Sequence, residues 1–213
     1  MENTKRNIWI LCSSLIGIGI VTFLARYLKY IDILCLKILA KVFLNLVNGI
    51  IAYISMKQMK MQIQINLKNK KQYLIGAGIA LALSSAIAII PALCGVSLVG
   101  NHMDFSWFSL VYDFLFCMLI IGPVEELIFR VYLQDVFISF FQHRKWIGVI
   151  LTALLFGLWH LINGGIIQVF FTFGIGLAFG FAKYKIKECS YISVALGHGL
   201  YDFLITLVRM FIV

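Results

Sequence analysis

Long apolar runs separated by short polar stretches dominate the chain. Mostly apolar runs cover roughly residues 8–28, 33–56, 73–97, 107–130, 146–162, 166–182 and 191–213. Most approach or exceed the roughly 20 residues that a helix needs to cross a bilayer core. The pattern predicts an all-α fold, a polytopic transmembrane helical bundle of about seven spans; six or eight result if the second or fourth run is divided differently. Lys37 and Lys41 interrupt the second run, and the fourth has no clean stop, its pattern continuing to about Phe141. Pro123 inside that run predicts a kink, because proline lacks the N–H and clashes with the preceding turn. The first run follows Lys5 and Arg6, but it is too long for the apolar part of a signal peptide and has no small-residue cleavage site. It reads as a first span. A single membrane-embedded domain over 1–213 is expected.

Composition agrees. Of the 213 residues 62% are apolar and 13% charged, against about 45–50% and about 25% in soluble domains. One soluble core of this length cannot hide that excess, and a disordered chain is poor in such residues. The net charge of +9 raises the question of nucleic acid, but its distribution answers it. Lys5 and Arg6, the cluster Lys57, Lys60, Lys68, Lys70 and Lys71, the pair Arg144 and Lys145, and the trio Lys183, Lys185 and Lys187 all fall between apolar runs. They hold twelve of the 18 basic residues. Basic residues of short loops gather on the cytoplasmic side, so the chain is expected in the cell membrane with its N-terminus cytoplasmic, its C-terminus outside and no nucleic-acid partner. The segment from Met56 to Gln72, with apolar residues among five lysines, is expected to rest on the anionic inner leaflet. The five cysteines (Cys12, Cys35, Cys94, Cys117, Cys189) contain no C-x-x-C pair, which speaks against a disulfide framework or a cysteine zinc site.

Ionisable groups inside a membrane cost about 2.5–3.5 kcal/mol each on insertion scales, so those within the runs need a partner or a purpose. They fall into three patterns: Glu125-Glu126-Leu127-Ile128-Phe129-Arg130, Phe156-Gly157-Leu158-Trp159-His160, and His198-Gly199-Leu200-Tyr201-Asp202. Glu126 and Arg130 stand four apart in the favoured acid-first order and can form a buried pair. Glu125 points about 100° away and cannot share Arg130 with the same geometry. A carboxylate in that position suits a general acid or base, with a purely structural ion pair as the bland alternative. A lone His160 reads equally as a hydrogen-bonded core residue. His198 and Asp202, also four apart, can co-ligate a metal, form a hydrogen-bonded pair or join helices.

In this order, E-E-x-x-x-R, F-x-x-x-H and H-x-x-x-N/D on separate membrane helices resemble the CAAX protease and bacteriocin-processing family of intramembrane endopeptidases, also called CPBP or Abi metalloproteases. The resemblance covers about residues 107–205 and places an active site between helices four, five and seven. It implies that Glu125, helped by His160, activates a water for attack on a peptide carbonyl. Glu126 and Arg130 would order the site, and His198 with Asp202 would stabilise the oxyanion. The well-described CAAX members carry Asn where this chain has Asp202. An ionised aspartate cannot donate to an oxyanion, so Asp202 is expected to be protonated, to orient His198 or to bind a metal. Glu125, His160 and His198 also make a His2Glu set suited to a divalent metal such as zinc, while a metal-free glutamate mechanism remains the other option. The expected partners are membrane lipids and a peptide or protein substrate. A non-catalytic membrane scaffold or bacteriocin self-immunity protein is the alternative function. A transporter lacks its usual inverted repeat.

The remaining polar residues take structural readings. Asp113 is expected to cap or pair locally and Arg209 to snorkel. Trp107, Trp146 and Tyr191 read as interfacial anchors. Glycines concentrate late in the chain (Gly174, Gly176, Gly180, Gly197, Gly199), and the spacing of Gly176 and Gly180 predicts close helix packing.

Overall fold

The computed structural model describes residues 2–162 and 164–213, with side chains from Thr4 onward. Among the described residues there is no strand. The long helices are α1 (Glu2–Ala25), α2 (Leu34–Gln58), α3 (Lys70–Leu93), α4 (Trp107–Phe140), α5 (Lys145–His160), α6 (Ile166–Lys185) and α7 (Tyr191–Phe211). Among the described residues, six helices are long and apolar enough to cross a membrane. The seventh predicted span is α5, which has 16 residues and reaches about 24 Å at 1.5 Å per residue. The protein is a multi-pass membrane protein. Despite its lysines, α2 is unbroken over 25 residues.

Local chemistry explains the ends. At the end of α2, Met61 N–H donates to the Met56 carbonyl and Lys60 N–H to that of Lys57. This is a Schellman closure with Lys60, at φ 58°, in the left-handed position glycine usually takes. Asn69 caps α3 by accepting from Lys71 N–H. Ser190 opens α7 with a capping box shared with Ser193, and its hydroxyl also donates to Gln72 Oε1 at 2.6 Å. Inside α4 the helix widens into π turns at Cys117–Ile121 and Leu127–Leu133. The first lies just ahead of Pro123, whose missing N–H deprives the preceding turn of a donor.

The chain divides into two compact units, one made of Met1–Gln64 with Leu127–Phe181, the other of Ile65–Glu126 with Ala182–Val213. The division falls inside α4 and α6, so the motif-bearing stretch contributes to both.

In the first unit, Asn48 Nδ2 on α2 donates to Thr22 Oγ1 on α1, and the Ser14 and Tyr132 hydroxyls share a 2.6 Å hydrogen bond. Gly176 of α6 rests on Ala153 of α5, where a Cβ would lie 3.2 Å from the Ala153 Cα. Gln134 Nε2 donates to the Gly180 carbonyl at 3.1 Å. The predicted close packing therefore holds for Gly176 and Gly180, while Gly174 faces open space.

In the second unit, α7 packs on α3 and on the first half of α4. A Cβ at Gly199 would sit 2.6 Å from the Cys117 carbonyl oxygen, and one at Gly122 would sit 2.7 Å from Gly199 N. Only glycine allows this approach of the two backbones.

Polarity in both units runs opposite to that of a soluble protein. Gln72, Glu126, Arg130, Gln134, Thr152 and Ser193 are buried, while Trp9, Leu74, Trp107, Ile167 and Phe170 are exposed. Large apolar side chains on the outside and polar ones within suit a hydrocarbon solvent.

Candidate active site

Within the second unit, α4 delivers two adjacent carboxylates to a histidine on α7. His198 is buried, and its Nδ1 lies 2.8 Å from Glu126 Oε1. The contact fixes the ring: Nδ1 carries a proton and donates it to the fully buried Glu126 carboxylate. The Nε2 edge faces the other two acids, 3.5 Å from Asp202 Oδ2 and 3.8 Å from Glu125 Oε2. Both exceed an ordinary charge-assisted hydrogen bond and leave room for a bridging group. The Glu125 side chain is 12% exposed and that of Asp202 30%. Glu125 Oε2 is buried without a hydrogen bond. Buried polar atoms rarely stay in that condition without a functional reason.

Tyr191, one of the expected interfacial anchors, has a different place. Its hydroxyl donates to the Pro123 carbonyl at 2.9 Å, two residues ahead of Glu125. The spacing that reveals this is the seven residues from Tyr191 to His198, two helical turns along one face. Asp113 pairs as expected, but across helices rather than locally, accepting from Thr206 Oγ1 of α7 at 3.4 Å. Arg209 Nε donates to the Asn101 carbonyl at 3.0 Å.

The other two motif residues belong to the first unit. Arg130 is fully buried, with its guanidinium 4.9 Å from the Phe156 ring centroid, a distance that makes a desolvated cation–π contact. The Phe156 ring also meets Phe129 edge-on at 5.0 Å and His160 at 4.8 Å. Trp159 completes the aromatic surround against Phe129. His160 Nδ1 lies 2.8 Å from the Phe156 carbonyl of its own helix. A carbonyl can only accept, so Nδ1 carries the proton and Nε2 of the neutral ring keeps its lone pair. Phe156 thus serves two motifs, its ring holding Arg130 and its carbonyl setting the tautomer of His160. No sequence spacing connects Arg130 to Phe156, because they meet only through tertiary packing.

The structure therefore brings Glu125, Glu126, His198 and Asp202 together in one unit, and Arg130 and His160 in the other. Among the described residues, no group of three or more His, Cys, Asp or Glu side chains stands at metal-holding spacing.

These six residues lie inside a stretch, residues 106–204, that matches the family model of the Rce1-like type II CAAX prenyl endopeptidases. Residues 106–204 are similar to that family. The match spans just under half the chain. Comparison with curated proteins and with solved structures returns no match. The three patterns fall within the matched stretch, on α4, α5 and α7, and the helices ahead of it carry none of them.

Proposed function

We propose that this CAAX-protease-like protein is an intramembrane endopeptidase that hydrolyses a peptide bond of a membrane-associated protein or peptide with water activated by Glu125. The observation that carries the reading is the Glu125 carboxylate, buried, without a hydrogen bond at Oε2 and 3.8 Å from His198 Nε2. In this scheme Glu125 takes a proton from water as the water oxygen attacks the peptide carbonyl carbon. The carbonyl electron pair moves onto oxygen. His198, protonated on both ring nitrogens, stabilises that oxyanion through Nε2–H, the ring being held through Nδ1 by Glu126. The carbon–nitrogen bond then breaks, and Glu125 passes its proton to the departing nitrogen. Asp202 orients the same edge of His198. The family resemblance gives His160, with Nε2 as acceptor, a share in handling the water, and gives Arg130 a part in ordering the site.

A divalent ion such as zinc, which the sequence pattern suggested for Glu125, His160 and His198, is the other way to activate water, and metal analysis of the purified protein separates the two. The cell membrane, with the N-terminus cytoplasmic, is the setting that the lysine distribution supports.

The test uses full-length protein in nanodiscs with a panel of prenylated CAAX peptides, together with peptide profiling of membranes from cells making each variant. Glu125→Gln keeps size and shape but removes the base, and is expected to lower turnover at least about 100-fold. His160→Ala is expected to lose a comparable factor. Wild-type processing by both variants sinks the proposal. If a bound partner also still co-purifies, the non-catalytic scaffold or self-immunity reading takes its place.

A further inference from the structure

The segment between α2 and α3 is not the amphipathic helix that a membrane-surface element usually forms. After the Schellman closure at Lys60 the chain runs without regular structure from Met61 to Asn66. Among the described residues, the amides of residues 62–67 donate no hydrogen bond. Residues 61–68 read M-Q-I-Q-I-N-L-K, a strict alternation. In an extended chain that alternation sends apolar side chains to one side and polar ones to the other. Ile65 and Leu67 are 56% and 66% exposed.

Lysines bracket this strip, with Lys57 and Lys60 before it and Lys68, Lys70 and Lys71 after it, and no acid lies between residues 57 and 72. The carboxylate that touches the segment, Glu188, is engaged by Asn69 Nδ2 at 2.8 Å. The strip also joins two helices that are each long and apolar enough to cross the membrane, so it lies at a membrane face.

We propose that residues 57–71 form a docking strip for an anionic lipid surface, with Ile65 and Leu67 inserted at headgroup depth and the flanking lysines bound to lipid phosphates. Two features favour lipid over a protein partner. Positive charge brackets the apolar side chains as an anionic interface requires. In addition, an interface, unlike the hydrocarbon, offers phosphate and ester oxygens that can accept from backbone amides with no partner in the protein. The inference is independent of the peptidase reading, and Glu125→Gln protein is expected to behave as wild type in its test.

Hydrogen exchange of the full-length protein in nanodiscs provides that test. In discs of phosphatidylcholine alone, the amides of residues 62–67 should exchange at close to the unprotected rate. In discs containing phosphatidylglycerol at about a third of the lipid, a slowing of about tenfold or more is expected. That slowing should vanish in 0.5 M salt, since screening shortens the reach of the lysines. Replacing the five lysines by glutamine should abolish it as well; if that variant fails to fold, the salt series on wild-type protein decides alone. Equal exchange in the two lipids overturns the proposal. Protection that appears only when a peptide substrate is added also overturns it, and points to strand addition on the exposed edge.

Discussion

At the scale of single residues, the two motif histidines, His198 buried and His160 half-buried, show how the structure refines the motifs. His198 and His160 each have Nδ1 committed, one to the Glu126 carboxylate and the other to the Phe156 carbonyl, so both present Nε2 for chemistry. Asp202, the departure from the CAAX pattern, lies 3.5 Å from His198 Nε2 with its side chain 30% exposed, and the proposed mechanism uses it to orient the ring. Asp202→Asn is therefore expected to stay within about tenfold of wild-type turnover, whereas His198→Ala should lose about 100-fold or more. A larger loss in the asparagine variant would assign Asp202 a proton-transfer role instead. Outside the spans, burial pushes the Cys189 thiol up to about 11. The thiolate is the reactive form, so at neutral pH Cys189 should react with alkylating agents more slowly than exposed Cys94. Its rate should rise about tenfold per pH unit until the pH nears that value. Peptide mapping after maleimide treatment at a series of pH values reads this directly.

At the scale of helices, contact between α4 and α7 depends on glycine on both sides, and two hydrogen bonds, Glu126 to His198 and Tyr191 to Pro123, fix its register. Adding a methyl at Gly199 drives it against the Cys117 carbonyl, and overpacking of this kind costs about 1–3 kcal/mol. Gly199→Ala should thus lower the melting temperature in detergent. Gly174→Ala, in open space on α6, should be neutral or raise it through better helix propensity. Tyr191→Phe removes only the hydroxyl that holds Pro123. It is expected to lower kcat about tenfold while leaving KM and the melting temperature close to wild type. A change in KM alone would show that Tyr191 touches substrate rather than positioning Glu125.

At the scale of the whole molecule, the short α5 bears on topology. Its 16 residues reach only about 24 Å, yet the positive-inside pattern puts Lys183, Lys185 and Lys187 on the side of Arg144 and Lys145 only if α5 crosses. With α5 crossing, epitope tags at the two ends should be accessible from opposite faces of sealed, oriented vesicles. Access from the same face would mean that α5 does not cross.

The sequence by itself determined the solvent, the helices and the identity of the chemical groups. Apolar run length is a local property, and so are the four-residue spacings of Glu126 with Arg130 and of His198 with Asp202. Even the continuation of α4 to Phe140 was visible as a pattern that did not stop. The tertiary structure decided which groups face one another. That Glu126 holds His198, that Tyr191 reaches Pro123 and that Phe156 carries Arg130 all depend on how helices pack, and no periodicity along one helix encodes a partner on another. The loop after α2 shows the same limit on a shorter range. Its alternation was present in the chain, but the helix stop that sets it free is the left-handed turn at Lys60, which composition alone does not reveal.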